Sequence, residues 1–178
     1  MNVVLIGYGY WGPNVARNIF ESSLTNLYAI CDNKQERLDL AKTKYLAQTQ
    51  YYLNYSELIN DDHVQAIAIA VETESHFKIA KEAICAGKHV FIEKPMTSTS
   101  AEALELQKLA RQHKVKIHVD HIMIFHPAIN KVKALIDSGE MGDLLYFDSS
   151  RMNLGKIKND VSAMWDLAVH DIAVIDYL

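Results

Sequence analysis

The sequence predicts an α/β fold: a Rossmann-type, doubly wound parallel sheet, followed by the beginning of an incomplete α+β C-terminal domain. Three observations carry this reading. Short apolar runs alternate with amphipathic stretches of roughly 10 to 14 residues, the rhythm of βαβ units. Ala66 to Val71 is apolar without interruption, as expected of a strand covered on both faces. A glycine-rich turn, Gly7-Tyr8-Gly9-Tyr10-Trp11-Gly12, stands between an apolar run and an amphipathic one.

The elements follow in order. Val3 to Ile6 is the first predicted strand and Trp11 to Phe20 the first helix. Leu27 to Cys31 is the next strand, followed by a charged helix from about Lys34 to Tyr45. After the Ala66–Val71 strand, a helix near Ser75 to Ala86 stops at Gly87, a residue suited to a left-handed C-terminal cap. Val90 to Ile92 is a further strand. Thr99 and Glu102 then have capping-box spacing for a helix running to about His113, and Val115 to Val119 closes the series. At ~150 residues per domain, a chain of 178 residues is one domain and a remainder. Residues 1–121 account for a complete doubly wound domain; residues 122–178 do not make a second full domain and are expected to be the N-terminal part of one. In that remainder, Ile129, Val132, Leu135 and Ile136 share one helix face, Gly139 and Gly142 mark a turn, and Leu144 to Phe147 is expected to be a strand. Trp165 to Leu178 has helical period and is apolar on most sides, which predicts burial. No stop signal closes that helix, so the chain is expected to be truncated within a larger architecture.

Composition narrows the function classes. Apolar residues make up 49% and charged residues 22%, ordinary for a globular protein. A net charge of −4 speaks against an electrostatic grip on nucleic acid. No apolar run approaches the ~20 residues of a membrane span, and the N-terminus lacks the pattern of a signal peptide. Cys31 and Cys85 have neither metal nor redox spacing and read as reduced core residues of a cytoplasmic protein.

The glycine turn matches Gly-x-Gly-x-x-Gly in the context that gives the pattern meaning, leaving a strand and opening a helix. Gly7 permits the tight turn, Gly9 lets backbone approach a pyrophosphate, and Gly12 lets helix and strand pack closely. The N–H groups at the helix start then meet the phosphates. Asp32 ends the second strand, where a carboxylate accepts bonds from both ribose hydroxyls and disfavours a 2′-phosphate. Tyr10, Trp11 and Asn33 complete the candidate cofactor set on these two loops. The expected cofactor is NAD, with NADP kept as an alternative because Lys34 and Arg37 lie near Asp32.

The segment Ala86-Gly87-Lys88-His89-Val90-Phe91-Ile92-Glu93-Lys94-Pro95 resembles the Gfo/Idh/MocA family, named from glucose–fructose oxidoreductase, inositol dehydrogenase and a rhizopine catabolism protein. Glu93-Lys94-Pro95 matches the family's signature. Trp165-Asp166-Leu167-Ala168-Val169-His170-Asp171 matches its Asp-x-x-x-His pair. With the glycine turn, three motifs stand in family order across the whole chain. The resemblance implies an NAD(P)-dependent sugar dehydrogenase about twice this length, whose C-terminal open-faced sheet carries substrate and subunit contacts. It also implies that Glu93, Lys94 and Pro95 shape the nicotinamide side of the site.

Oxidising a secondary alcohol needs a base for the hydroxyl proton and positive charge beside the developing alkoxide. Lys94, at the C-terminal end of a strand, supplies the charge. Asp166 and His170 share a helix face at i, i+4, with His170 the natural base and Asp166 orienting it or binding substrate. Between His170 and Lys94 the base stays open. His121 follows a strand end and faces the same substrate question. His118, Asp120, His121 and His126 crowd together, but strand alternation sends His118 and Asp120 to one face and His121 to the other, so no metal is expected. His76, near a helix start, reads as packing or capping.

The resemblance has departures. Many members carry Ala-Thr-Pro where this chain has Ala70-Val71-Glu72, and an Arg near Met123. Arg151-Met152-Asn153-Leu154-Gly155 with Trp165-Asp166 resembles a branch acting on nucleotide-activated amino sugars, with Arg151 and Trp165 as substrate candidates. A homo-oligomer is expected, with a small-molecule sugar or nucleotide-sugar substrate and no nucleic-acid or membrane partner. Two rival readings stand beside it: a non-catalytic NAD-binding or regulatory protein, and an enzyme of the same fold reducing an imine or tetrapyrrole.

Overall fold

The computed structural model describes residues 1–45, 49–152 and 162–178, which form two compact units, Met1–Val119 and Asp120–Leu178. In the first unit β1 (Asn2–Ile6), β2 (Asn26–Cys31), β3 (Gln50–Tyr52), β4 (Ala66–Ile69), β5 (His89–Ile92) and β6 (Ile117–Val119) make one parallel sheet in the order β3-β2-β1-β4-β5-β6. The order reverses direction between β1 and β4, and in open α/β sheets ligands bind at the strand C-termini beside such a reversal.

Side-chain alternation along the strands divides the core in two. Val4, Ile6, Ile67 and Ile69 face α4 (Thr73–Cys85) and α5 (Ser100–His113), where they bury Ile79, Ile84 and Leu106. Val3, Leu5, Leu27 and Ile30 face α1 (Gly12–Glu21) and α2 (Gln35–Lys42), packing with Val15, Ala16, Leu38 and Ala41. Helices on both faces explain why β4 is apolar at every position: neither side of it meets water.

In this first unit the predicted strands and helices are found with boundaries moved by a few residues. The capping box at Thr99 and Glu102 is present, and Gly87 closes α4 with φ +75° while the Lys88 N–H donates back to the Ala83 carbonyl. Two elements go beyond the sequence reading. β3 is three residues long and pairs with Ala29–Cys31, and α3 (Ser56–Ile59) is a single turn anchored by buried Leu58 and Ile59. Such lengths are too short for a periodic signal, although Tyr51 and Tyr52 are good strand formers.

Cys31 is buried as expected, and burial pushes its thiol up to about 12. Cys85 is exposed, a correction: it lies on the outer face of α4, alongside Lys78 and Lys81. Lys88, by contrast, is buried, with its ammonium donating to the carbonyls of Asp61 and Val64.

The second unit contains a 3₁₀ turn (Ile122–Phe125), α6 (Pro127–Asp137), a π-helical turn (Met164–Ala168) and α7 (Val169–Tyr177). The His126 imidazole accepts from the Ala128 N–H and caps α6. Ile129, Val132, Leu135 and Ile136 are half-buried on one face of α6, and Gly139 and Gly142 form the expected turn with φ of +75° and +69°. Two expectations are corrected here. Leu144–Phe147 is not a strand: among the described residues no partner ladder receives its backbone groups. Trp165 to Leu178 is helical but not buried. Val174 alone is buried there, while Met164, Ile172 and Ile175 are exposed. Helical periodicity fixes which residues share a face, whereas burial also needs a covering element. Asn153, Leu154 and Gly155 lie outside the described residues.

Candidate cofactor site

β1 ends at Ile6, and the chain then turns at Gly7, whose φ is +98°. That backbone region is open to glycine and strained for other residues. A Cβ on Gly7 would lie 2.4 Å from the Ala70 carbonyl oxygen, because β1 and β4 run side by side into the turn. A Cβ on Gly12 would lie 2.3 Å from the Gly7 carbonyl oxygen. These two glycines therefore allow strand, turn and helix to close on one another. Gly9 differs: a Cβ there meets only the Arg37 guanidinium, at 3.6 Å. Between them Tyr8 is buried against Val15, Leu38 and Tyr45, anchoring the loop, and burial raises its hydroxyl to about 12. No side chain caps the N-terminus of α1; Pro13 has no N–H and the Asn14 N–H donates to the Trp11 carbonyl at 2.9 Å, so this helix start meets an incoming anion with the positive end of its dipole.

Asp32 follows β2 and is 4% exposed. One carboxylate oxygen accepts from the Tyr8 N–H at 2.7 Å and the other from the Lys34 N–H at 2.9 Å. The first bond joins the acid to the glycine turn. Arg37, one turn into α2, brings its guanidinium to 3.1 Å and 3.4 Å from the two oxygens. The candidate acid and the cation noted beside it are thus an ion pair over Gly9. Asn33, Tyr10 and Trp11 are exposed at the loop surfaces; the Tyr10 and Trp11 rings meet edge-on at 5.6 Å.

β5 delivers Glu93-Lys94-Pro95 to the same C-terminal rim. The Glu93 N–H donates to the Ile69 carbonyl and prolongs the ladder, which buries the Glu93 side chain and leaves Lys94 half-buried. Pro95 and Thr97 are buried behind Lys94. Below this loop lies His76, whose place near a helix start predicts packing or capping. His76, in the first turns of α4, is 1% exposed. Its Nδ1 lies 2.9 Å from the Pro95 carbonyl oxygen and its Nε2 3.1 Å from that of Val71. Burial holds its imidazole below the ordinary histidine value, against the upward pull of those carbonyls. Its position just after a strand that ends at the site was a usable signal in the sequence.

The second unit carries the remaining candidates. Asp166 lies in the π turn and His170 in the first turn of α7; both are half-buried. Single π turns recur at functional sites. Asp171, next to His170, receives Arg151 through two parallel bonds, Nε at 2.8 Å and Nη2 at 2.9 Å, and Ser149 Oγ at 2.8 Å. The Arg151 bonds hold the Asp171 carboxyl low, at about 2. Arg151 is therefore engaged within the unit. His121 is half-buried and Trp165 exposed. His118 stacks on Phe91 in the first unit, with ring centroids 5.5 Å apart. Among the described residues no three His, Cys, Asp or Glu side chains gather as a metal set.

A reversal of strand order between β1 and β4, two glycines with no room for a side chain, an open Gly9 and a buried acid one strand away fit a dinucleotide. They define a Rossmann dinucleotide-binding protein. Residues 1–121 match the family model described as "Oxidoreductase family, NAD-binding Rossmann fold", and the chain belongs to this Gfo/Idh/MocA family. Inositol 2-dehydrogenase of Salmonella typhimurium is 27% identical over 178 residues, covering 98% of this chain and 53% of that protein. An uncharacterized oxidoreductase of Synechocystis is 42% identical over 110 residues, which are 60% of this chain and 30% of the relative. The crystal structure of an NAD binding oxidoreductase from Klebsiella pneumoniae superposes with a TM-score of 0.85 at 29% identity, covering 100% of this chain and 53% of that one. The chain spans about half the length of the full-coverage relatives it matches.

Proposed function

We propose that this chain carries the cofactor domain, and the start of the substrate domain, of an NAD-dependent dehydrogenase acting on a secondary hydroxyl of a sugar or polyol. The observation that carries the reading is the placement of Glu93-Lys94-Pro95 on the rim where the glycine turn and Asp32 also open. NAD, when bound, supplies the hydride acceptor. The glycine turn and the first turn of α1 hold the pyrophosphate, and Asp32 holds the ribose. The hydroxyl proton passes to a base, His170 or Lys94. With His170 as base, the Lys94 ammonium places positive charge where the hydroxyl oxygen becomes negative; with Lys94 as base, its amine starts uncharged and gains that charge with the proton. Asp166 orients the base or binds substrate. The neutral tautomer of His170 and the uncharged amine of Lys94 are the forms that accept the proton.

A nucleotide sugar is the narrower substrate reading, and Arg151 and Trp165 are its contacts. It requires Arg151 to exchange Asp171 for a substrate phosphate or uronate, a like-for-like bidentate partner. His121 is a further substrate contact in either version. We also assign this protein to the cytoplasm and to a homo-oligomer, the latter supported by the exposed apolar side chains of the second unit. Light scattering should then show mass rising with concentration; a monomer at every concentration removes the assignment.

The test is calorimetric titration of the chain with NAD and NADP, alongside turnover assays with inositols and nucleotide sugars. NAD binding with saturable oxidation of either substrate class supports the proposal. NAD binding with no turnover leaves only a dinucleotide-binding protein. Failure to bind either cofactor ends the enzyme reading for this chain.

A further inference from the structure

We infer that His76 is a positioning residue for Lys94: its Nδ1–H, donated to the Pro95 carbonyl, fixes the loop on which Lys94 rides. The inference rests on the cofactor reading above and deepens it. The ring is 1% exposed and has a carbonyl oxygen at each nitrogen, Pro95 at 2.9 Å from Nδ1 and Val71 at 3.1 Å from Nε2. A neutral imidazole has one N–H, so only one of these contacts is a hydrogen bond and the other sets lone pair against lone pair. The Nδ1–H tautomer is part of the inference: it gives the N–H to the nitrogen with the shorter contact, that to Pro95. Val71 belongs to the β4 loop that crowds Gly7, and Pro95 directly follows Lys94. One buried ring therefore stands between the two loops that flank the switch point. Lys94 is half-buried while Pro95 and Thr97 behind it are buried, so a loop released at Pro95 moves Lys94 with it. A packing residue would need only the ring's bulk; this geometry uses one particular nitrogen.

That nitrogen provides the test. Asparagine places its amide N–H₂ where Nδ1 stands, and glutamine places its own where Nε2 stands. His76→Asn, His76→Gln and His76→Leu are compared with wild type by ring ¹⁵N chemical shifts (wild type only), the amide signals of Glu93 to Thr97, and NADH titration. Thermal midpoints provide the stability control. The expected results are an Nδ1–H tautomer in wild type and displaced loop amides with roughly tenfold weaker NADH binding in His76→Gln and His76→Leu. His76→Asn restores both. An Nε2–H tautomer, loop amides unmoved in His76→Leu, or rescue by glutamine as good as by asparagine overturns the inference. If His76→Leu does not fold, the asparagine–glutamine contrast decides. A wild type that binds no NADH overturns the cofactor reading, while the tautomer and the loop amides still judge His76.

Discussion

The two units of this chain bury their apolar residues very differently. In Met1–Val119 the strands alternate their side chains into two clusters, each roofed by helices, and the large aliphatic residues of the central strands are fully buried. In Asp120–Leu178 comparable residues lie on α6, which has one apolar face, and on α7, which is apolar on most sides, yet Val174 is the single buried one among those described. Pattern determines which side of an element is apolar; a second layer determines whether that side leaves water. The first unit contains its own second layer. It is also where the glycine turn, Asp32 and the Glu93-Lys94-Pro95 loop are held by backbone bonds to the sheet.

Substitutions can break or sharpen this contrast. The largest effect is expected for Gly7→Ala, which meets both a forbidden φ and the Ala70 carbonyl. A loss of about 4 kcal/mol in chemical denaturation is expected, with cofactor binding lost as well. Leu106→Ala, in the cluster under α4 and α5, should cost about 3 kcal/mol, whereas Ile172→Ala on exposed α7 should stay within about 0.5 kcal/mol. Equal losses at both positions would mean that the two units differ less than their burial suggests. Next in size, Asp32→Asn removes the charged acceptor of the Tyr8 N–H and should weaken NAD binding about tenfold in calorimetry. The smallest effect belongs to the second unit's ion pair. Asp171 should titrate near pH 2 by NMR and move back towards the ordinary value of ~3.9 in Arg151→Met. Its folded-state value is depressed, so the pair's contribution to stability is full above the ordinary value and is lost as pH falls towards 2. An Asp171 midpoint unmoved by the substitution would assign the shift to Ser149 instead.

Much of the first unit was legible because each signal was redundant. The β4 run, the Thr99–Glu102 box and the Gly87 stop are local chemistry that the fold has no reason to override. What escaped was decided by contacts across the sheet. β3 exists because β2 offers it a ladder. Leu144–Phe147 has strand composition and, among the described residues, no ladder to join. For the site, the residue types of the motif loops could be listed from sequence. The Tyr8–Asp32 bond and the His76–Pro95 contact could not, since each joins residues 24 and 19 positions apart.

The glycine turn, finally, combines two separable properties in six residues. Gly7 and Gly12 are architectural, because a methyl group at either strikes backbone within the fold itself. Gly9 is not: a methyl group there touches only a guanidinium tip, at ordinary contact distance. Gly9→Ala is therefore expected to fold as the parent does and, if the proposed pyrophosphate contact is made there, to weaken NAD binding in calorimetry. With it, an observer can ask of any behaviour of this protein, in a tube or in a cell, whether it belongs to the fold or to the nucleotide.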